Sequence, residues 1–283
     1  MPNTRAAGQY SSLTSDLKNN LNNYPSDVTI FKEFVQAADD ALASEIHFVF
    51  DFRHSGDEQV FPEWSRMRSW LGPCLWVYND AVFSDDDFES IRAYGAGGKQ
   101  TKAGKIGRFG LGFCSCYNLT DVPHILSGST CQILDPHRHA LPGDGEAMDL
   151  NDKQNQQEIK DYPGLLKPFT TLRVKDVPAL DLQRLPYQGT LFRLPFRTEE
   201  TFRLSFRCQK RSAKCKTTTK NFVSHQGSTY AHSQPLVILA RAMMFSITPK
   251  NVGSKFRFSS RKHLRTQPAT RDPSTRKDVF NNP

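Results

Sequence analysis

Long apolar runs are missing from this 283-residue chain. The longest, Leu236 to Ile247, has 12 residues and is interrupted by Arg241. A bilayer-spanning helix needs ~20 apolar residues, so no membrane partner is expected. The opening MPNTRAAGQYSSLTSDL has no apolar signal region, and a cytoplasmic, reducing location is the expectation. The six cysteines form no CxxC pair, which argues against a zinc ribbon. Cys114 and Cys116 read as two small core residues rather than a redox pair. Internal repeats are absent as well. Acidic residues are scarce only locally: residues 208–283 hold 2 against 15 Lys and Arg, a net +13. Residues 1–207 hold 27 acidic and 22 basic side chains, a net −5, so the overall +8 belongs to the C-terminal part.

What is present suits one sizeable domain followed by a tail. Hydrophobic residues make up 37%, enough for a core, while the mean hydropathy of −0.56 means that part of the chain is too polar to pack. Residues 1–11 read as an N-terminal extension, 12–207 as the domain, and 208–283 as a basic, mostly disordered tail with one short helix near 234–247. A segment so rich in Ser, Thr, Lys and Arg buries too little apolar surface to offset its ordering entropy.

Within the domain, residues 12–23 suggest a weak polar helix. Residues 28–42 suggest a second helix, with Asp27 as N-cap. EIHFVFD (45–51) alternates like a strand. Residues 53–70 read as a loop or short helix, and GPCLWVYNDAVFS (72–84) as a strand ending in a sharp polar turn. A capping box, Ser84 to Asp87, opens a helix that closes on Gly95. The glycine- and lysine-rich 95–107 segment reads as a mobile loop. ILSGSTCQILDP (125–136) suggests a strand pair, 137–163 a polar insertion, and TTLRV and GTLFRLPF the last strands.

Four of these pieces carry candidate chemistry. Glu33, Ala37, Asp40 and Ala41 recur at i, i+4, i+7 and i+8, placing two carboxylates on a helix face otherwise made of small residues. Such a face reads as a pocket wall. Asn79-Asp80 lies at a strand end, where a carboxylate or amide can read an exocyclic amine of adenine. A hydroxyl such as that of Thr190 can support the ring through water. The GxxGxG glycines Gly107, Gly110 and Gly112 let backbone N–H groups approach phosphates without Cβ interference. A glutamate on an adjoining helix can deprotonate an attacking water. Lys99, Lys102 and Lys105 either meet phosphates or form a solvated run. His137 and His139 have the spacing of a metal pair but read as loop histidines. Asp39 reads as an exposed charge, and Arg193 and Arg197 as alternating strand residues facing solvent or an acidic neighbour.

EFVQxADDA, VYNDAVF, GRFGLGF followed by Tyr117, and GTLFRLPFR together resemble the motif series of the Bergerat-fold ATPases. These include the ninety-kilodalton heat-shock chaperones, type II topoisomerase ATPase domains and histidine kinases. GPCLWVYNDAVFSDDDF, GKIGRFGLGFCSCYNLTDVPHILSG and ILDPHRHALPG are similar to the sacsin branch, and the resemblance covers about residues 12–206. It implies an α+β fold: a two-layer α/β sandwich with a mixed, largely antiparallel sheet, helices on one face, and a nucleotide pocket under a 95–107 lid. It implies Glu33 as the water-activating base and Asn79 or Asp80 as the adenine reader. It further implies Asp40, Gly107, Gly110, Gly112, Phe113 and Thr190 as nucleotide-binding residues, with ATP as cofactor. The family carries a magnesium-ligating asparagine where this chain has Ala37, so Mg²⁺ binding is expected to be weakened or absent and hydrolysis impaired. The implied role is an ATP-binding chaperone-type module in protein folding or quality control. Alternatives are a non-catalytic module that binds a co-chaperone or client protein and, more weakly, nucleic-acid binding through the basic tail.

Overall fold

The computed structural model of the chain describes residues 13–23, 29–53, 59–92, 112–205 and 255–261. Helix α1 (Leu13–Asn23) buries Leu17 and Leu21, one turn apart. Helix α2 (Thr29–Asp40) buries Phe31, Phe34, Val35 and Ala38, the i, i+3, i+4, i+7 stripe of a helix lying on a sheet. A Schellman closure ends it. The N–H of Ala43 donates to Ala38 O at 2.9 Å and that of Leu42 to Asp39 O at 3.0 Å, with Leu42 itself left-handed at φ 59°.

Strands β1 (Glu45–Asp51) and β2 (Cys74–Asn79) follow, antiparallel, with Ile46 opposite Asn79 and Asp51 opposite Cys74. A 3-10 helix, Pro62–Trp70, lies between them. Helix α3 (Asp85–Arg92) starts on the expected capping box: Ser84 N–H donates to Asp87 Oδ2 at 2.9 Å, and Asp87 N–H to Ser84 Oγ at 3.3 Å. After the short 3-10 helix Phe113–Asn118 come β3 (His124–Gly128), β4 (Thr130–Leu134) and β5 (Gly145–Asp149). Helices α4 (Lys153–Asp161) and α5 (Lys167–Thr170), strand β6 (Tyr187–Pro195) and helix α6 (Glu199–Leu204) complete the continuous part.

The expected mixed, largely antiparallel sheet is present, in the order β5-β4-β3-β6-β2-β1-β7. Its last member, β7 (Lys255–Arg261), is parallel to β1. This strand falls inside the tail read as mostly without structure. The alternation of Phe256 and Phe258 with Arg257 is a period-2 signal that the surrounding basic composition masked. The helix expected at 234–247 lies outside the described residues.

Both faces of the sheet are buried. Phe48, Phe50, Val77, Ile125 and Phe192 pack under α1, α2 and the 113–118 helix. Val49, Trp76, Leu126 and Leu191 pack under the 62–70 helix, α4 and α5. The two longest helices, α1 and α2, thus share one face, and shorter helices and turns roof the other. Two local readings are corrected. The 137–163 insertion contains β5 and α4, and TTLRV forms no strand, only the isolated bridge Val174–Val177, because no partner strand runs beside it.

Candidate functional site

The second stripe of α2 is the one the sequence singled out. Glu33, Gln36, Ala37 and Asp40 are all half-buried and lie beside the sheet-facing stripe. Burial raises the pKa of the Glu33 carboxyl above its ordinary value, against the opposing pull of Lys32. Asp40 keeps a buried Oδ2 with no hydrogen-bond partner among the described residues. Asp39, expected to be an exposed charge, is half-buried, and its Oδ1 is also buried without a partner among the described residues. Its place in the last turn before the Schellman closure keeps it against the fold.

Gly112 lies against this wall. A Cβ built on it would lie well inside van der Waals contact with Glu33 Oε2, so no other residue fits without moving the carboxylate. Gly112 opens the 113–118 helix with ordinary helical angles, φ −64° and ψ −45°. What it supplies is therefore space rather than an unusual backbone. Phe113 continues the contact, its ring 6.4 Å from Phe34 and 6.0 Å from Phe192. Gly107 and Gly110, like the 95–107 loop, lie outside the described residues.

The ends of β2 and β6 carry the next pair of candidates. Asn79 and Thr190 are register partners on β2 and β6, on the same sheet face as Val77 and Phe192, toward α2. Both are buried. Asn79 Oδ1 accepts the Ala81 N–H at 3.1 Å, which leaves a second lone pair and the amide donors. Thr190 and Ser127 hydroxyls stand 2.8 Å apart and share two protons among each other, Ala81 O and Gly189 O. Phe83 N–H donates to Ser127 Oγ at 2.9 Å, so this pair fixes the whole 79–83 turn. Gly189, at φ +119°, is required there, because a Cβ would strike Asn79 O and the Tyr78 ring.

Asp80 is engaged elsewhere. Its carboxylate accepts N–H groups from Ser44 at 2.8 Å and Glu45 at 3.2 Å, and the Ser44 hydroxyl as well. Burial pulls its pKa upward, but these donors outweigh it and hold the carboxyl below the usual range. Asp80 thereby ties the end of β2 to the α2–β1 connection.

Arg193 and Arg197, expected to face solvent or an acidic neighbour, are both buried, and Arg197 does meet an acidic neighbour, Asp121. Arg193 donates to Trp70 O at 2.6 Å and Gly72 O at 2.8 Å, beneath the 62–70 helix. Arg197 follows the end of β6 and donates to Tyr117 O, Asn118 O and Thr120 O and to Asp121 Oδ1. It thus holds the carbonyl end of the helix that Gly112 opens. Carbonyl oxygens, which no sequence motif advertises, draw both side chains inward, so Arg197 and Ser127 were not legible as site supports. His137 and His139 stack with ring centroids 5.2 Å apart, yet no group of three or more metal-ligating side chains occurs among the described residues.

A model of the Sacsin domain family matches residues 10–258. The chain belongs to the Sacsin domain family. It is also similar to human Sacsin, at 36% identity over 204 residues. The match takes in 70% of this chain but 4% of the human protein, so this member spans a small part of that relative's length. Among the described residues, no helix of this Sacsin-domain chain is long and apolar enough to cross a membrane.

Proposed function

We propose that this Sacsin-domain chain is an ATP-binding, chaperone-type module acting in protein folding or quality control, with impaired hydrolysis. The observation that carries the reading is the bare Gly112 pressed against the raised-pKa carboxylate of Glu33. A phosphate chain needs such a Cβ-free approach to backbone N–H groups, and hydrolysis needs a base beside it. Asn79 is assigned the adenine edge, supported by Thr190, since Asp80 is already engaged by Ser44 and Glu45. Glu33 accepts the proton of the attacking water, and the backbone opening the 113–118 helix orients the phosphates. ATP, when bound, supplies the reactive phosphoanhydride.

Magnesium fits less well. Ala37 lies one turn beyond Glu33 on the same stripe, and its methyl offers no oxygen to a hard cation. If the missing ligand is worth as much as a charge-assisted hydrogen bond, about 1.5–3 kcal/mol, metal-dependent affinity is reduced roughly ten- to hundredfold. Turnover suffers more, because it depends on accurate placement of the phosphates. The test measures ATP binding and phosphate release by the full chain, beside Ala37→Asn. Restoring the amide should tighten Mg²⁺-dependent binding by that factor and raise turnover. Absence of binding at millimolar ATP with Mg²⁺ overturns the reading in favour of a non-catalytic protein-interaction module. An unchanged metal dependence in Ala37→Asn refutes the account of that position.

A further inference from the structure

Cross-strand pairs follow one another along the sheet face that α2 covers. Val77 lies opposite Phe192, and Asn79 opposite Thr190 about 7 Å further on. The Phe192 ring is 4.9 Å from Phe34, next in sequence to Glu33, and 6.0 Å from Phe113, next to Gly112. Asn79 is the polar side chain beyond that aromatic junction, and it keeps 5% of its surface exposed. Its amide has a fixed direction. Oδ1 accepts the Ala81 N–H at 3.1 Å, and a flipped amide would set donor against donor. Nδ2 has no partner among the described residues, and it is not sealed from water. What remains open to a ligand is therefore an N–H donor beside the second lone pair of Oδ1.

We propose that this amide lets the site take 6-oxo as well as 6-amino purine nucleoside triphosphates, an inference that rests on the nucleotide reading above. A carboxylate at position 79 would offer acceptors only. It would draw in the amino group of ATP and repel the keto oxygen of inosine triphosphate (ITP). Asn79 serves both. Its Nδ2–H can meet the keto oxygen of one base or a ring nitrogen of the other, while Oδ1 takes the proton of N1–H or of the amino group. Neither base sets like against like, so neither is rejected. The neighbouring residues do not restore the choice. Thr190 is fully enclosed and gives its hydroxyl proton to Ala81 O at 2.8 Å. The Asp80 carboxylate is turned to Ser44 and Glu45.

ATP, ITP and inorganic tripolyphosphate are the probes, titrated with Mg²⁺ against the full chain by ligand-observed NMR. ATP and ITP should bind within about threefold of each other, less than one hydrogen bond lost, and tripolyphosphate at least about tenfold more weakly than either. Asn79→Asp keeps an acceptor for the Ala81 N–H and should favour ATP by about ten- to hundredfold, chiefly through loss of ITP. A preference of about tenfold or more for either nucleotide in the natural chain overturns the proposal, whether or not the variant folds. So does tripolyphosphate binding as tightly as the nucleotides, or an unchanged ratio in Asn79→Asp. Failure of ATP and ITP alike to bind at millimolar concentration removes the nucleotide reading and this inference with it, whereas a preference for ATP removes this inference alone.

Discussion

Alanine at position 112 should be harmful in the natural chain and beneficial once Glu33 is removed. The backbone of Gly112 is already helical, so alanine there carries no conformational penalty. Taken alone, the change should stabilise by about 0.4–1 kcal/mol through the unfolded state. In the natural chain, however, the new methyl meets Glu33 Oε2, and the carboxylate has to retreat by on the order of 1 Å. The atom struck is the far end of a flexible, half-buried side chain, so the retreat lies at the low end of overpacking costs, about 1 kcal/mol. Gly112→Ala should therefore destabilise only slightly, by no more than about 0.5 kcal/mol, the net of these two opposing contributions. In the Glu33→Ala background the methyl enters the vacated space, and the same substitution should stabilise. Urea unfolding of the four proteins in the cycle reads the coupling directly. A penalty that is the same with and without Glu33, or a gain in both backgrounds, refutes the adjacency on which the functional reading rests. Any turnover should fall ~100-fold in Gly112→Ala, because a displacement of that size at the base is enough to misalign it.

Three other outcomes are expected. Glu33→Gln should keep ATP binding while abolishing phosphate release; loss of binding instead would mark Glu33 as structural. Arg197→Met leaves Asp121 buried without its cation and should cost about 3–5 kcal/mol in urea unfolding. Much of that should return in Arg197→Met/Asp121→Leu, and a lone Arg197→Met within 1 kcal/mol of the natural chain, roughly the worth of a surface pair, contradicts the clamp. His124 is fully buried, and burial, with Arg193 adding, holds its pKa well below the ordinary value. The unfolded chain takes up a proton near pH ~6.5 that the folded chain refuses, so this group's contribution to stability is intact above that pH and is lost as pH falls below it. His124→Phe should flatten the loss between pH 7.5 and 5.5 by about 1 kcal/mol. An unaltered slope refutes it.

Strong local signals transferred well from sequence to structure. The alternation of EIHFVFD, the Ser84–Asp87 box and the ILSGSTCQILDP pair became β1, the start of α3 and the β3–β4 hairpin. Glu33 also meets Gly112, and Asn79 pairs in register with Thr190, residues that the family resemblance had assigned to one site. Strand β5 was illegible for a physical reason: GEAMD is exposed or half-exposed throughout, so no alternation marks it. TTLRV failed the other way, having a strand-like composition but no neighbour to pair with. Buried arginines contradict the ordinary rule for charged residues, and only the fold reveals the carbonyls that satisfy them. The engagement of Asp80 by Ser44 and Glu45, which sets it apart from Asn79, has no signal in the sequence.

The single parallel pairing has a consequence for how the chain can be cut. Strand β1 is buried on both faces and lies at the outside of the sheet but for β7, which comes from some two hundred residues later. A chain ending at residue 207 would present a row of unpaired N–H and C=O groups along β1. Such an edge is a template for a second copy of itself. Removal of residues 255–261 should convert a protected strand into a site of self-association, and the sticking would arise from backbone hydrogen bonding rather than from any loss of the basic charge.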